Sequence, residues 1–121
     1  MQYTEKFLAL ANNAIAQVES VEVEEIAELV ANGAQLLDIR DRPEHQKDHI
    51  PGSMNISRGT LEMLVEGKIA DLNQTILCYC NANNRGALST LALKQMGYHN
   101  AKFIAGGLGA YRERIETNKA K

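Results

Sequence analysis

Two rhythms of apolar positions alternate along this chain, helical stripes and short unbroken runs, and their order predicts the architecture. Over residues 4–18, Phe7, Leu8, Ala11, Ala14, Ile15 and Val18 share one helical face, with Glu5, Asn12, Asn13 and Gln17 elsewhere. This predicts an amphipathic helix, whose destination stays open between the domain's own core and a docking or dimerisation surface. Val21–Val23 reads as a short edge strand. Val23–Ala31 reads as a helix with Ile26, Leu29 and Val30 inward and Gly33 as its left-handed stop. Gln35–Arg40 is an apolar run bounded by Gly33 and Pro43, which predicts a strand covered on both faces. Pro43–Asp48 predicts one or two helical turns, with Pro43 in the first. His49-Ile50-Pro51-Gly52 then forms a turn into a short strand, Ser53–Ile56. Leu61–Val65 suggests a small helix ended by Gly67, and Lys68–Gln74 connects back.

Thr75–Tyr79 is a second buried run of β-prone residues. It ends at Cys80, and the chain passes through Asn81, Ala82, Asn83 and Asn84 to Arg85. From Gly86 the rhythm turns helical, with Leu88, Leu91, Ala92 and Met96 on one face before Gly97 stops it. Asn100–Ile104 gives a last strand, and Gly106-Gly107 permits a tight turn. A terminal helix follows over Leu108–Thr117, with Tyr111 and Ile115 inside, and the last four residues are expected to fray. The expected fold is an α/β/α layered domain with five short, mainly parallel strands.

Length and composition narrow the class. The chain has 121 residues, enough for one domain with a real core, and is 45% apolar and 23% charged. A formal charge of −2 without strong asymmetry points away from nucleic acid and from an anionic membrane surface. No stretch reaches transmembrane length, and Met1-Gln2-Tyr3-Thr4-Glu5-Lys6 lacks the features of a secretory signal. Two cysteines separated by one residue make no disulfide framework, so a reducing, cytoplasmic setting is expected.

The chemistry concentrates where Thr75–Tyr79 gives way to a loop winding directly into a helix. Such a loop tends to turn its N–H groups inward, and the helix's positive end points into it. Arg85 adds a cation. All three favour a thiolate at Cys80 and an anion beside it, so Cys80 is the candidate nucleophile. Cys78, inside the strand, reads as core, because a Cys78–Cys80 disulfide would strain the strand badly. Asp38, Arg40 and Asp41 fall at the carboxyl end of a strand, where open α/β sheets bind ligands. His45 and His49 are four apart, but a third ligand is not obvious and Pro51 breaks any helix beyond them, so no metal is assigned.

Leu36-Leu37-Asp38-Ile39-Arg40, then Glu44, then His49-Ile50-Pro51-Gly52-Ser53-Met54-Asn55-Ile56, resembles the first signature of single-domain rhodaneses. Cys80 with Arg85 five positions on, and Gly106-Gly107-Leu108 before the last helix, are similar to the rest. The resemblance runs from about Val21 to Glu116. It divides the chain into an N-terminal helical extension, 1–19, and a rhodanese-like domain, 20–121. It implies a sulfurtransferase without a cofactor. Cys80 would take the outer sulfur of a small anionic donor such as thiosulfate, or of a protein persulfide. It would carry that sulfur as a persulfide and yield it to a thiol or cyanide. Asn81, Ala82, Asn83, Asn84, Arg85 and Gly86 would then hold the donor, with Arg85 binding its oxyanion or keeping the loop in shape. Asp38 and Arg40 would brace the site.

Related phosphatases and arsenate reductases place five residues between cysteine and arginine, whereas this chain has four, which suits attack on sulfur. Asn83 stands where the family usually has glycine and is expected to keep the left-handed turn. Gly86 stands where serine or threonine is common, and Asp48 replaces a frequent glycine before His49. The alternative reading is a non-catalytic rhodanese-like sulfur carrier or protein-binding module, against which the intact Cys80 and Arg85 count.

Overall fold

In the computed structural model, which describes residues 2–116, short strands and helices alternate from end to end. Helix α1 (Glu5–Gln17) leads into β1 (Ser20–Val21), and α2 (Ile26–Ala31) into β2 (Gln35–Asp38). Helix α3 (Arg42–Lys47) precedes β3 (Met54–Asn55), and α4 (Leu61–Lys68) precedes β4 (Ile76–Tyr79). Helix α5 (Asn84–Gln95), β5 (Ala101–Ile104) and α6 (Gly107–Tyr111) complete the order. The strands form one five-stranded sheet in the order β1-β5-β4-β2-β3, and every pairing is parallel. Strand β4 lies at its centre, with Leu37 opposite Cys78 on one side and Phe103 opposite it on the other.

The pleat sorts the central strands between two cores. Leu37, Ile76, Cys78 and Phe103 face one cluster, joined by Ala11 and Ala14 of α1, Leu61 and Val65 of α4, and Ala87, Leu88 and Leu93 of α5. Leu36, Leu77, Tyr79 and Ile104 face the other, with Ile26 of α2 and Leu108 of α6. Side chains two apart on a strand share a face, so the run Ile76-Leu77-Cys78-Tyr79 serves both layers and must be apolar throughout. All four residues are buried.

The differences from the sequence reading have local causes. The first strand stops at Val21 because Glu22 opens a capping box: the Glu25 carboxylate accepts from Glu22 N at 2.8 Å, and Val23–Glu25 form a 3-10 turn. Val30 is exposed rather than inward. Helix α4 runs through Gly67 to Lys68. Helix α5 begins at Asn84, two residues before Gly86. Leu93, outside its expected apolar stripe, is fully buried, because it falls on the face of α5 that carries Gly86 and Thr90, the face set against the sheet. After α6 the chain makes a π-helical turn over Arg112–Glu116, and the expected helix end at Thr117 and the four residues after it lie outside the described residues. Among the described residues no helix is long and apolar enough to cross a membrane.

Candidate active site

Strand β4 delivers Cys80 to the carboxyl edge of the sheet, and α5 starts four residues later. Asn83 sits at the N-cap with φ −124° and ψ −36°, a negative φ outside the left-handed region, and no non-glycine residue among those described has a positive φ. The left-handed turn expected at Asn83 is therefore absent. Its side chain does something else: Oδ1 accepts a hydrogen bond from Gly106 N at 2.8 Å. With the Asn83 side chain turned away, Cys80 Sγ accepts from Gly86 N at 3.3 Å, the third residue of α5. The thiol sulfur thus occupies the place of a helix-capping acceptor. Cys80 is only 3% exposed and belongs to the core cluster, yet it also lines a pocket.

Two clamps hold this loop. Behind it, the turn after β5 presses against its backbone: Leu108 N donates to Cys80 O at 2.8 Å, and Gly109 N donates to Asn81 O at 3.1 Å. This approach requires glycine at 107, where φ is +55° and a Cβ would fall 2.2 Å from Cys80 O and 2.7 Å from Ala82 O. In front, a chain of polar side chains leads from β2 to α5. Arg40 Nε and Nη2 fork onto Asp38 Oδ1 and Oδ2 at 2.9 and 2.7 Å, and Arg40 Nη1 donates to Asn81 Oδ1 at 3.1 Å. Asn81 Nδ2 donates to Glu44 Oε1 at 3.4 Å. Glu44 in turn receives both ends of the Arg85 guanidinium, at 3.0 and 3.1 Å. The same carboxylate accepts from Asp41 N at 3.0 Å and so also caps α3.

Asp38 and Arg40 are 0% and 4% exposed, a buried ion pair satisfied on nearly every side. Arg40 Nη2 also donates to Asp48 O at 2.6 Å, and His45 Nδ1 donates to Asp38 Oδ2 at 2.8 Å. Burial pushes the Asp38 carboxyl up, but the hydrogen bonds from Arg40 and His45 outweigh it and hold it below the usual range. Arg85 hydrogen bonding likewise holds Glu44 below the usual carboxylate range. Below β4's end, Tyr79 fixes the turn after α3: its hydroxyl accepts from Ile50 N at 3.1 Å and lies 2.7 Å from Ser53 Oγ. His45 and His49 stack at 3.9 Å between ring centroids, and His49 Nδ1 donates to His45 O. No group of three or more metal-ligating side chains occurs among the described residues.

A pocket of about 630 Å³ opens over the loop, lined by Cys80, Asn81, Ala82, Asn83, Asn84 and Arg85. The sequence-predicted residues thus divide. The six from Cys80 to Arg85 reach the cavity. Gly86 lies beneath, aiming its N–H at Sγ, and Asp38 and Arg40 lie behind Asn81. Glu44, Arg58, Tyr3 and Phe7 complete the lining. Sequence reasoning gave these four no role at the site. For Glu44 a signal existed in the Asp41-x-x-Glu44 capping-box pattern, whereas the others meet the loop only through the fold.

A wholly parallel α/β domain with a cysteine at a strand-to-helix loop defines the class, and the comparisons with known proteins give the family. Residues 22–114 match the Rhodanese-like domain, and the chain belongs to that family. It is 30% identical over 115 residues to the human thiosulfate:glutathione sulfurtransferase, covering 84% of this chain and 97% of that protein. It is 31% identical over 72 residues to the thiosulfate sulfurtransferase PspE of Escherichia coli K12, covering 60% and 68%. Among solved structures, the human single-domain sulfurtransferase TSTD1 superposes with a TM-score of 0.73 at 25% identity, over 80% of this chain and 97% of that one. RPA3614 from Rhodopseudomonas palustris, described as a possible tyrosine phosphatase, superposes at 0.80 with 27% identity over 93% of each chain.

Proposed function

We propose that this protein transfers sulfane sulfur through a persulfide on Cys80. The observation that carries the reading is the placement of Cys80: it lines the pocket, and its Sγ accepts the Gly86 N–H at the amino-terminal end of α5. Negative charge sits on Sγ in the attacking thiolate and one S–S bond further out in the persulfide, and the amino-terminal end of α5 favours it in both. The thiolate attacks the outer sulfur of thiosulfate. A bond forms between Sγ and that sulfur, the donor's S–S bond breaks, and its electron pair leaves with sulfite. An acceptor thiolate, or cyanide, then attacks the outer sulfur of the persulfide and returns Cys80 to the thiolate. No separate general base is required.

In this reading Asp38 and Arg40 position Asn81, and Arg85 acts through Glu44 to hold the loop's two ends together. Loop N–H groups bear the departing anion. A persulfide carried by another protein could serve as donor by the same displacement. Phosphoryl transfer fits less well. The four-residue interval makes a narrow cradle, and the Glu44 carboxylate already takes the Arg85 fork that a tetrahedral dianion would need.

Intact mass after incubation of the reduced protein with thiosulfate tests the proposal. The expected result is a gain of one sulfur atom in wild type and Cys78→Ser, absent in Cys80→Ser and discharged by cyanide. Hydrolysis of an aryl phosphate without any sulfur gain would replace this reading with the phosphatase one.

A further inference from the structure

The pocket over Cys80 is not closed by the rhodanese-like residues alone. Tyr3 and Phe7 line it, and both lie outside residues 22–114. Their rings pack 5.1 Å apart at 42°, and Thr4 sets their position by capping α1, its Oγ1 accepting from Phe7 N at 3.3 Å. The helix itself is anchored through Ala11 and Ala14, both 0% exposed against the core. An aromatic pair is thus held at the mouth of the cavity by a docked helix, with Tyr3 51% exposed.

The charge of the pocket comes from another segment. Its lining holds three charged side chains, Glu44, Arg58 and Arg85. Two of them cancel in the fork between Glu44 and Arg85. The net positive charge is therefore carried by Arg58, which is exposed and whose side chain has no hydrogen-bond or ion-pair partner among the described residues. Its root is fixed where β3 gives way to α4, through Arg58 N donating to Ile39 O at 3.0 Å. A cavity of about 630 Å³ falls in the ~300–1,000 Å³ range of small organic ligand sites, far more than thiosulfate fills.

We propose that Tyr3, Phe7 and Arg58 form a subsite beside Cys80 that selects sulfur donors bearing an anionic group on an apolar body of aryl size. The apolar body lies against the two rings, and the anionic group meets Arg58 while the outer sulfur reaches Sγ. The assignment rests on the sulfur-transfer reading above. With an organic thiosulfonate the displacement balances as before: the Sγ–sulfur bond forms, the bond to the sulfonyl sulfur breaks, and the electron pair leaves with the sulfinate. The extension carrying α1 is then part of the specificity apparatus rather than an appendage.

Steady-state sulfur transfer to cyanide tests this with three donors: thiosulfate, methanethiosulfonate and benzenethiosulfonate. Wild type should favour benzenethiosulfonate over methanethiosulfonate by about tenfold in kcat/KM, the scale of partial burial of one ring. In Tyr3→Ser and Phe7→Leu that ratio should fall towards one. Arg58→Gln should raise KM for both thiosulfonates with little change in kcat, and Arg58→Lys should recover part of the loss. A wild-type ratio near one, or a ratio untouched in both aromatic variants, would overturn the subsite. Binding of unreactive benzenesulfonate to Cys80→Ser, followed by NMR shifts at Phe7 and Arg58, separates the two claims. Binding there without any sulfur loading of wild type would sustain the subsite and overturn the transfer reaction. Transfer without that binding would do the reverse.

Discussion

Cys78 and Cys80 stand two residues apart, project into the same apolar cluster and are 0% and 3% exposed. Burial does not separate them; the backbone does. Cys78 lies inside the sheet, paired with Leu37 and Phe103 on its two sides, and desolvation pushes its thiol up to about 12. Cys80 lies one step past the last paired residue, where the chain leaves the sheet. Its sulfur accepts the Gly86 N–H, and the residue lines the pocket. Two residues of chain thus separate a thiol packed within the sheet from one that lines a cavity and accepts a backbone N–H.

The sharpest way to break this contrast is alkylation of the native protein at pH 8. With its thiol near 12, Cys78 is ionised in only about one molecule in ten thousand at that pH. Iodoacetamide should therefore give a single adduct, mapped to Cys80 by peptide mass. A native protein labelled equally on both would erase the distinction.

The next largest effect is expected at Gly107. A Cβ there meets Cys80 O at 2.2 Å, so Gly107→Ala must displace the loop or the turn behind it. Sulfur transfer should fall by about a hundredfold and stability by roughly 1–3 kcal/mol, while the Cys78 side of the sheet is untouched. Gly67→Ala is the matched control. It lies within α4 with nothing inside 4 Å of its Cβ, and should stabilise the protein by up to about 1 kcal/mol with activity unchanged. Urea denaturation with parallel activity assays reads both.

Alkaline unfolding sharpens the contrast from the other side. The folded state keeps the Cys78 proton to higher pH than the unfolded chain, whose thiol titrates near 9. Stability is therefore intact below that value and falls as pH rises from about 9 towards 12, by about 1.4 kcal/mol per pH unit. Tyr79, also pushed up to about 12 by burial, adds a decline beginning near 10. Urea midpoints at pH 8 and 10.5 should converge in Cys78→Ala relative to wild type.

How much of this was legible in the sequence follows from the range of each interaction. Continuous apolar runs at Gln35–Asp38 and Ile76–Tyr79 announce central strands, because a strand covered on both faces admits no polar side. The strand-loop-helix around Cys80 is equally local. What escaped is what the fold brings from afar. Glu44 meets Arg85 across 41 positions, and Asn83 meets Gly106 across 23. Asparagine at 83 suggested a left-handed turn because its backbone tolerates one; no pattern shows that its side chain is needed elsewhere. Gly106-Gly107 reads as a turn, and only the packed structure reveals which carbonyls stand behind it. Leu93 is buried because the face it shares with Gly86 and Thr90 lies against the sheet, and a glycine and a threonine on that face hide it from a count of apolar positions.

The smallest expected effect, and the one that joins the two cysteines, is at Gly86. A Cβ added there would meet Phe103 Cβ at 3.5 Å and Cys78 O and Cys80 N at 3.7 Å, ordinary van der Waals contacts. Gly86→Ser therefore fits without moving the loop. Replacing glycine within α5 gains a few tenths of a kcal/mol in helix propensity, so the melting temperature should hold or rise slightly. The new hydroxyl can turn towards Cys78 O, within the sheet, or towards the sulfur at Cys80. In the second case it adds a donor to the Gly86 N–H already there. One hydrogen bond of about 1 kcal/mol would extend the lifetime of the Cys80 persulfide roughly fivefold. Persulfide decay followed by intact mass should show that extension if the sulfur attracts the hydroxyl. Decay unchanged from wild type, with a raised melting temperature, would instead place the hydroxyl on the Cys78 carbonyl. The sulfur's stabilisation would then rest on the backbone N–H at the start of α5.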